Sequence, residues 1–345
     1  MTEKQYEVTI GIPVYNIERY VRLAMDSALN QTFESIEFLV VDDCGTDSSM
    51  DIVRQYQQSH PRGCDIRIVR QPQNGGLGRA RNRIIDEARG RFLYHLDGDD
   101  EIALNTIELL HHQMISQGAD IVYGSFERVY VEDGSVVKSV PSVYQRTVFT
   151  KPDSFACFAY ERKLQTMTWN FLIRTDILRQ NHLRVAPVGF GEDFTFTVDL
   201  PTYVTRAVLL PDVTYRYFIR DVNTRRWNRH VTRELMDAYI QTIDQKKRRT
   251  ELRSKPYYAR RCETLMMYDF SFANQILQRR DTLTPRYTDR EIRDIMWHPM
   301  ALCEILRSPE KRAKNLAAYA ISIMPPWMAV AAMKALFKVM YKEEQ

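Results

Sequence analysis

Short apolar segments alternate with helical patterns in the N-terminal part of the chain, and this alternation constrains the fold more than any other feature. Apolar runs at residues 8–14, 36–41 and 66–69 have the length and β-branched content of strands. Between the first two, hydrophobic residues recur at helical spacing from Val21 to Leu29. Strands that alternate with helices form parallel sheets covered on both faces. The sequence therefore predicts an α/β domain with a mostly parallel sheet.

Polar side chains follow the predicted strands at the points where these strands end. Tyr15 follows the first strand, Asp42 the second, Asn74 the third and Asp97 the fourth. Ligands of open α/β sheets bind in the crevice beyond the carboxyl ends of the strands. We therefore expect these four residues to converge on one cleft.

The fourth strand leads directly into a cluster of carboxylates. Residues 92–95 are strand-like, and Asp97, Asp99 and Asp100 follow them. Carboxylates fixed at a rigid strand end can hold a hard divalent cation against the phosphates of a substrate. Such acidic triplets also occur in ordinary turns. A metal-binding role is favoured here because polar residues also follow the strands that come before this one in the chain.

Taken in order, these pieces resemble the family 2 inverting glycosyltransferases, which have the GT-A fold. The resemblance spans roughly residues 7 to 225 and implies a Rossmann-like, mixed, mostly parallel sheet flanked by helices. Cys44 departs from the family pattern, which usually has Gly after the two Asp residues. The matching pieces are Ile12-Pro13-Val14-Tyr15-Asn16, Gln31-Thr32-Phe33, Val40-Val41-Asp42-Asp43, Asn74-Gly75-Gly76 with Ala80-Arg81-Asn82, Leu96-Asp97-Gly98-Asp99-Asp100, and Gly191-Glu192-Asp193.

The resemblance implies a nucleotide-sugar donor, with uridine as the default base, and a divalent metal, Mn²⁺ or Mg²⁺. Asp99 is the expected metal ligand, and Asp97 would share the metal or the ribose. Two alternatives stay open, because Pro13 can be only a strand terminator and Tyr15 only a rim residue. The residues expected to bind the nucleotide sugar are Pro13, Tyr15, Asn16, Asp42, Asn74, Gly75, Arg81, Asp97 and Arg220.

Two further segments are expected to contribute to the reaction. Asp193 is the candidate general base of a single displacement, and Glu192 would orient it or bind the acceptor. Read alone, these acids could simply open a helix. Trp169 and Asn170 fall in a segment that resembles the floor of the acceptor or donor-sugar pocket. Trp169 fits a stacking role on a sugar ring and a place in the core equally well.

The remainder of the chain is expected to be a helical extension over residues 226–315, after a catalytic domain over residues 1–225. The net charge is −7 over residues 1–215 (22 Lys and Arg against 29 Asp and Glu) and +11 over residues 216–345 (26 against 15). A basic surface suits an anionic partner or is merely solvated. The basic residues match no nucleic-acid-binding module, and the five cysteines include no CxxC pair.

Residues 316–345 are expected to form an amphipathic segment that is either membrane-associated or packed on protein. The stretch is mostly apolar, and Pro325-Pro326 divides it into halves too short to span a bilayer. Lys334, Lys338 and Lys342 recur at helical spacing, which is typical of a helix lying on a membrane. A C-terminal helix that packs on the domain or on a second subunit is the alternative.

The resemblance predicts an inverting, metal-dependent hexosyltransferase that builds a surface polysaccharide or glycolipid from a UDP-sugar. The acceptor would be a glycan or a lipid-linked glycan. Because no signal peptide is recognisable, we expect a cytoplasmic protein, peripheral on the inner face of the cell membrane if the C-terminal segment binds lipid. The alternatives are a catalytically silent, membrane-associated scaffold and a nucleotidyltransferase, although residues 13–16 lack the Gly-rich, basic loop of the latter.

Overall fold

The computed structural model describes residues 4–164, 166–188, 191–220, 232–298, 301–307 and 312–340. The chain divides into two compact units. Unit 1 comprises residues 1–155 and 165–230, and unit 2 comprises residues 156–164 and 231–345. The boundary expected at residue 225 lies outside the described residues.

Unit 1 begins with strands and helices in strict alternation, as the sequence pattern predicts. The apolar face expected on the first helix is buried, including Val21, Ala24 and Ala28. Each strand of this part is short, which suits a sheet covered on both faces. The elements are β1 (Val8–Val14), α1 (Val21–Leu29), β2 (Ile36–Asp42), α2 (Ser49–Ser59), β3 (Ile66–Arg70), α3 (Gly76–Glu87) and β4 (Phe92–His95).

The second part of unit 1 contributes strands that range from two residues (β5) to fourteen (β10), together with helices of five to twelve residues. Their bounds are β5 (Glu101–Ile102), α4 (Thr106–Gln117), β6 (Ile121–Glu132), β7 (Ser135–Ser142), β8 (Thr147–Phe149), α5 (Ser154–Phe158, which crosses into unit 2), β9 (Phe171–Arg174), α6 (Thr175–Gln180), α7 (Glu192–Thr197) and β10 (Ala207–Arg220).

One mixed sheet organises the described part of unit 1. Its strand order is β3-β2-β1-β4-β9-β6-β10-β5, with β7 on β6 and β8 on β10. The first four strands are parallel, and β9 joins them to β6 by antiparallel pairing on both of its sides. The expected α/β fold with a Rossmann-like sheet flanked by helices is confirmed. The parallel part places the ends of β1, β2 and β4 at one edge.

Unit 2 is helical in its described residues, apart from turns. Its helices are α8 (Arg233–Lys247), α9 (Tyr258–Arg279), α10 (Asp289–Ile295), α11 (Ala301–Arg307), α12 (Arg312–Ile323) and α13 (Pro326–Met340). The boundary expected between residues 315 and 316 falls inside α12. None of the described helices combines the length and the apolar composition that a bilayer crossing requires.

Candidate functional site

The ends of three parallel strands bring the predicted polar residues to one edge of the sheet. In the pairing of β1 with β2, Val14 lies opposite Asp42, and in the pairing of β1 with β4, Gly11 lies opposite His95. Tyr15, Asp42 and Asp97 therefore leave the sheet side by side. The expected convergence of these strand ends is observed.

The segment after β1 lies at the edge of the cleft, and the side chain of Asn16 in it has a structural role. Pro13 is buried inside β1, whereas Tyr15 is 37% exposed. Asn16 adopts a positive φ of 50° and its Oδ1 accepts the N–H of Thr46 at 2.7 Å. Asn16 thus holds the loop after β2 in place, and Tyr15 offers its ring to solvent.

Asp42 ends β2 as a buried carboxylate at the mouth of the cleft. It is 4% exposed, its Oδ1 accepts the N–H of Cys44 at 2.9 Å, and its Oδ2 lies 3.6 Å from Nε of Arg70. Cys44 has a φ of 60°, in the left-handed region that favours glycine. The departure noted at this position therefore places a side chain where the backbone suits Gly.

Replacing Cys44 with Gly is expected to raise the free energy of unfolding by about 1 kcal/mol, because glycine reaches positive φ without a Cβ clash. Urea denaturation of the full chain, followed by circular dichroism, measures the change. The matched control is Cys44→Ala, which also removes the thiol but keeps the Cβ and should not stabilise the chain. A Gly variant as unstable as the Ala variant would contradict the account of strain.

Asp43 organises the glycine loop before α3, although it is not among the residues expected to form the site. It is 3% exposed and accepts hydrogen bonds from Gln71 Nε2 at 3.0 Å, the Gly75 N–H at 2.7 Å and the Gly76 N–H at 2.9 Å. The Gly76 N–H also lies 3.1 Å from Asn74 Oδ1, and Gly76 has a φ of 77°. These two N–H groups therefore bind the protein's own carboxylate and are not turned toward a substrate phosphate, which corrects the expected nucleotide contact of Gly75. The sequence signal for this role was the presence of a second acidic residue, Asp43, directly after the end of β2.

Arg81 links the carboxylates of two separate segments. Its guanidinium is 1% exposed, and Nη2 donates to Oδ1 and Oδ2 of Asp97 at 2.8 and 3.1 Å. Nη1 donates to Oδ1 of Asp193 at 2.8 Å. Burial alone would lower the pKa of Arg81, but the charges of Asp97 and Asp193 outweigh it and raise that pKa. The expected contact of Arg81 with a base or a diphosphate is thus replaced by contacts with two acids.

The carboxylates that follow Asp97 have different environments. Arg220, at the end of β10, approaches Oδ2 of Asp99 with Nη1 at 3.5 Å and donates from Nη2 to the Asp99 carbonyl at 2.8 Å. Asp100 is 1% exposed and accepts from the Tyr215 hydroxyl at 2.8 Å and the Phe218 N–H at 2.9 Å. Burial raises the pKa of Asp100 well above its usual value. Asp100 therefore anchors the turn, and Asp99 stays at the surface of the cleft.

A divalent metal fits Asp99 better than Asp97. Both oxygens of Asp97 are engaged with Arg81, while the Asp99 carboxylate is about one quarter exposed at 26%. Within the described residues, no three His, Cys, Asp or Glu side chains group as metal ligands. One carboxylate suffices for Mg²⁺ or Mn²⁺ when substrate phosphates and water complete the coordination. The expected metal role therefore stays with Asp99 and is not supported for Asp97.

Glu192 and Asp193 open α7 next to the positive φ of 60° at Gly191. Besides Arg81, the hydroxyl of Thr168 donates to Oδ1 of Asp193 at 2.6 Å. Burial is the main cause that raises the pKa of Glu192. Asp193 is thus joined through Arg81 to Asp97, the carboxylate that follows β4.

Trp169 and Asn170 lie in the core and do not line a pocket for sugar. Trp169 is 4% exposed and stacks on Tyr215 with ring centroids 4.2 Å apart. Asn170 is 3% exposed; its Nδ2 donates to the carbonyls of Gly124 and Ser125, and its Oδ1 accepts from the Thr214 hydroxyl at 2.7 Å. Because these bonds satisfy the amide and a ring covers the indole, the expected sugar contacts are corrected to a structural role. The loop after Arg220, with Asn223, Thr224 and His230, is outside the described residues.

Comparison of the sequence with known proteins shows one family match and many relatives. The model "Glycosyl transferase family 2" matches residues 9–176. The uncharacterized glycosyltransferase YibD of Escherichia coli (strain K12) is 25% identical over 237 residues, which is 68% of each chain. The uncharacterized glycosyltransferase EpsJ of Bacillus subtilis (strain 168) is 30% identical over 213 residues, 61% of this chain and 60% of EpsJ.

Solved structures show the same fold. Residues 1–349 of S. aureus TarS, in complex with UDP-GlcNAc, match with a TM-score of 0.58 and 18% identity over 92% of this chain and 90% of that chain. The mannosyltransferase PcManGT from Pyrobaculum calidifontis, in complex with GDP-Man and Mn²⁺, matches with a TM-score of 0.51 and 15% identity. That match covers 98% of this chain and 88% of the mannosyltransferase.

Proposed function

We propose that this chain, which matches the model of glycosyl transferase family 2 over residues 9–176, is a member of that family. It moves a sugar from a UDP-sugar to a hydroxyl of a glycan or lipid-linked glycan acceptor. The observation that carries the proposal is the linked set of carboxylates at the carboxyl edge of the sheet. Arg81 joins Asp97, at the end of β4, to Asp193, at the start of α7. Donor-side and acceptor-side acids are thereby held in one cleft.

The donor would occupy the edge formed by the ends of β1, β2 and β4. Tyr15 offers an exposed aromatic face for the base, and Asp42 is a carboxylate that can accept a hydrogen bond from a uracil N3–H. The UDP-GlcNAc found in the TarS structure supports this choice of donor, because the two chains share the fold. The donor sugar itself would lie between Asp97 and Asp193.

Asp99 would hold a Mn²⁺ or Mg²⁺ ion together with the phosphates of the donor. Such an ion supplies positive charge that neutralises the leaving diphosphate. Arg220 lies beside Asp99 and can add its own charge to the same phosphates. The Mn²⁺ in the mannosyltransferase structure supports a metal in this fold.

The reaction would be a single displacement that inverts the configuration at C1 of the sugar. Asp193 accepts the proton of the acceptor hydroxyl while the oxygen of that hydroxyl forms a bond to C1. The bond between C1 and the phosphate oxygen breaks, and its electron pair leaves with UDP. Asp193 would return the proton to solvent after product release.

A nucleotide panel tests the donor class. Thermal unfolding of the full chain would be followed with UDP, GDP, CMP or NAD, each with Mn²⁺ or with EDTA, and repeated on Asp99→Asn. We expect only UDP with Mn²⁺ to stabilise the wild type, by about 2.7 kcal/mol at a hundredfold excess over Kd. The Asp99→Asn variant should lose most of this shift. No shift with any nucleotide would instead favour a catalytically silent scaffold.

An acceptor carried on lipid would bring the chain to an anionic membrane surface. Residues 311–342 contain six Lys and Arg and no Asp or Glu. At the turn between α12 and α13, Ile323 is 62% exposed and Trp327 is 67% exposed, while Val330 and Met333 of α13 are buried. Exposed apolar side chains among basic ones are typical of interfacial helices. We therefore place a peripheral contact with anionic lipid at this turn.

Replacing Trp327 with Ala should weaken binding of the full chain to phosphatidylglycerol vesicles about tenfold, because the indole no longer enters the interface. Co-sedimentation with these vesicles and with neutral phosphatidylcholine vesicles measures the binding. The control is Leu104→Ala, which removes a 59% exposed apolar side chain from unit 1. Equal losses in the two variants, or equal binding to neutral vesicles, would contradict the proposed contact.

A further inference from the structure

The guanidinium of Arg81 is a buried cation shared by the two acids on which the proposed reaction depends. It lies in α3, is 1% exposed, and reaches Asp97 through Nη2 and Asp193 through Nη1. Both donor groups point at carboxylates, so neither is turned toward a nucleotide. An arginine in this place acts through its two partners.

Within the part of the chain that the structure describes, the Asp193 carboxylate accepts its side-chain hydrogen bonds at one oxygen. Both Arg81 Nη1, at 2.8 Å, and Thr168 Oγ1, at 2.6 Å, donate to the same oxygen, Oδ1. Oδ2 takes part in neither bond. Thr168 is 1% exposed, whereas the Asp193 side chain is 36% exposed. The two buried donors therefore fix the rotation of the carboxylate and leave Oδ2 outside both hydrogen bonds on a partly exposed side chain.

We propose that Arg81 and Thr168 are positioning residues that orient Asp193 so that Oδ2 receives the proton of the acceptor hydroxyl. Arg81 also ties this orientation to Asp97, so that the donor-side carboxylate and the base move as one unit. This inference rests on the proposed function and names two residues of its site. The planar fork of arginine suits the task, because its two terminal nitrogens reach two carboxylates at fixed angles.

Stability alone gives no reason to keep this cluster. Replacing a buried ion pair or triad by apolar residues of similar volume is often neutral or stabilising. Arg81 also keeps a buried Nε without a hydrogen-bond partner among the described residues, a further cost of placing it there. A charge retained at such a cost is consistent with a role in chemistry.

Substitutions of the two residues are expected to change different kinetic parameters. Thr168→Val keeps the side-chain shape and, among the described residues, removes only the hydrogen bond to Asp193. The kcat should therefore fall about tenfold to a hundredfold, with the donor KM and the UDP Kd unchanged within about twofold. Arg81→Lys loses one of its two carboxylate contacts, so kcat should fall at least as far and the donor KM should rise.

The experiment measures UDP release over a range of donor concentrations for the wild type, Thr168→Val and Arg81→Lys, with UDP affinity by calorimetry and the melting temperature of each. Arg179→Lys is the control, since Arg179 donates to the Ile85, Asp86 and Ala88 carbonyls and to neither acid. An unchanged kcat in both variants, in an active background, would overturn the inference and leave the proposed function intact. A wild type that binds UDP but releases none from UDP-sugars would overturn both.

Discussion

Replacing Asp193 with Asn is expected to lower kcat for sugar transfer by about 10² to 10⁴-fold, the usual contribution of a general base. The substitution keeps the shape of the side chain, and the amide oxygen can still accept from Arg81 and Thr168 at the position of Oδ1. The substitution removes Oδ2, the carboxylate oxygen that would accept the proton. The Kd for UDP should therefore change by less than about threefold, and the loss should appear in kcat.

Glu192→Gln is the matched control for this prediction. Glu192 is the neighbouring acid on α7, and removing its charge should cost kcat about tenfold at most if it only orients the base or the acceptor. Steady-state UDP release with both variants at saturating donor gives the comparison. A larger loss in Glu192→Gln than in Asp193→Asn would assign the base to Glu192.

Replacing Lys247 with Met is expected to lower the free energy of unfolding by about 3–5 kcal/mol, as for other buried ion pairs that lose one partner. Lys247 is 2% exposed and lies 2.8 Å from Oδ2 of Asp269, which is 3% exposed. Its Nζ also donates to the carbonyls of Ile295, the last residue of α10, at 2.8 Å, and of Trp297, just after that helix, at 3.1 Å. The substitution leaves a buried carboxylate and two carbonyls without their cation.

The pH dependence of this loss follows from Asp269. Burial raises the pKa of Asp269 to about 7, and Lys247 opposes the rise, so removing Lys247 raises that pKa further. A folded carboxyl whose pKa exceeds its unfolded value loses stability as pH rises toward the folded pKa. Urea denaturation should therefore show a smaller loss in Lys247→Met at about pH 5.5 than at about pH 8.

Two controls identify the buried pair as the cause. Lys314→Met removes an exposed lysine of α12 and should change the free energy of unfolding by less than about 0.5 kcal/mol. The double variant Lys247→Met with Asp269→Leu replaces both charges by apolar groups and should recover most of the loss. A double variant as unstable as the single one would mean that the carbonyl contacts, and not the charge pair, dominate.

The sequence predicted the parallel part of the sheet because its signals are local. Each strand from β1 to β4 is a short apolar run, and each is followed by a polar residue at the edge where the strands end. The order of these residues along the chain is enough to place Tyr15, Asp42 and Asp97 together. The same local logic found the acidic start of α7 at Glu192.

Partners that lie far apart along the chain were not predictable in this way. The bond from Thr168 to Asp193 joins residues 25 positions apart, and that from Tyr215 to Asp100 joins residues 115 positions apart. Trp169 has a side chain that suits a sugar and a core equally, and its burial and its stacking on Tyr215 decide for the core. The resemblance predicts that Arg81 contacts the nucleotide. In the structure its guanidinium is buried between the carboxylates of Asp97 and Asp193 and binds them instead.

The most direct test of the account is UDP release from UDP-sugars by the full chain with Mn²⁺, compared between the wild type and Asp193→Asn at equal UDP occupancy. We expect the wild type to release UDP with at least one sugar donor. Asp193→Asn should bind UDP equally well and release it at least a hundredfold more slowly. A wild type that binds UDP without turnover, or equal rates in both proteins, would contradict the assignment of this cleft as the site of transfer.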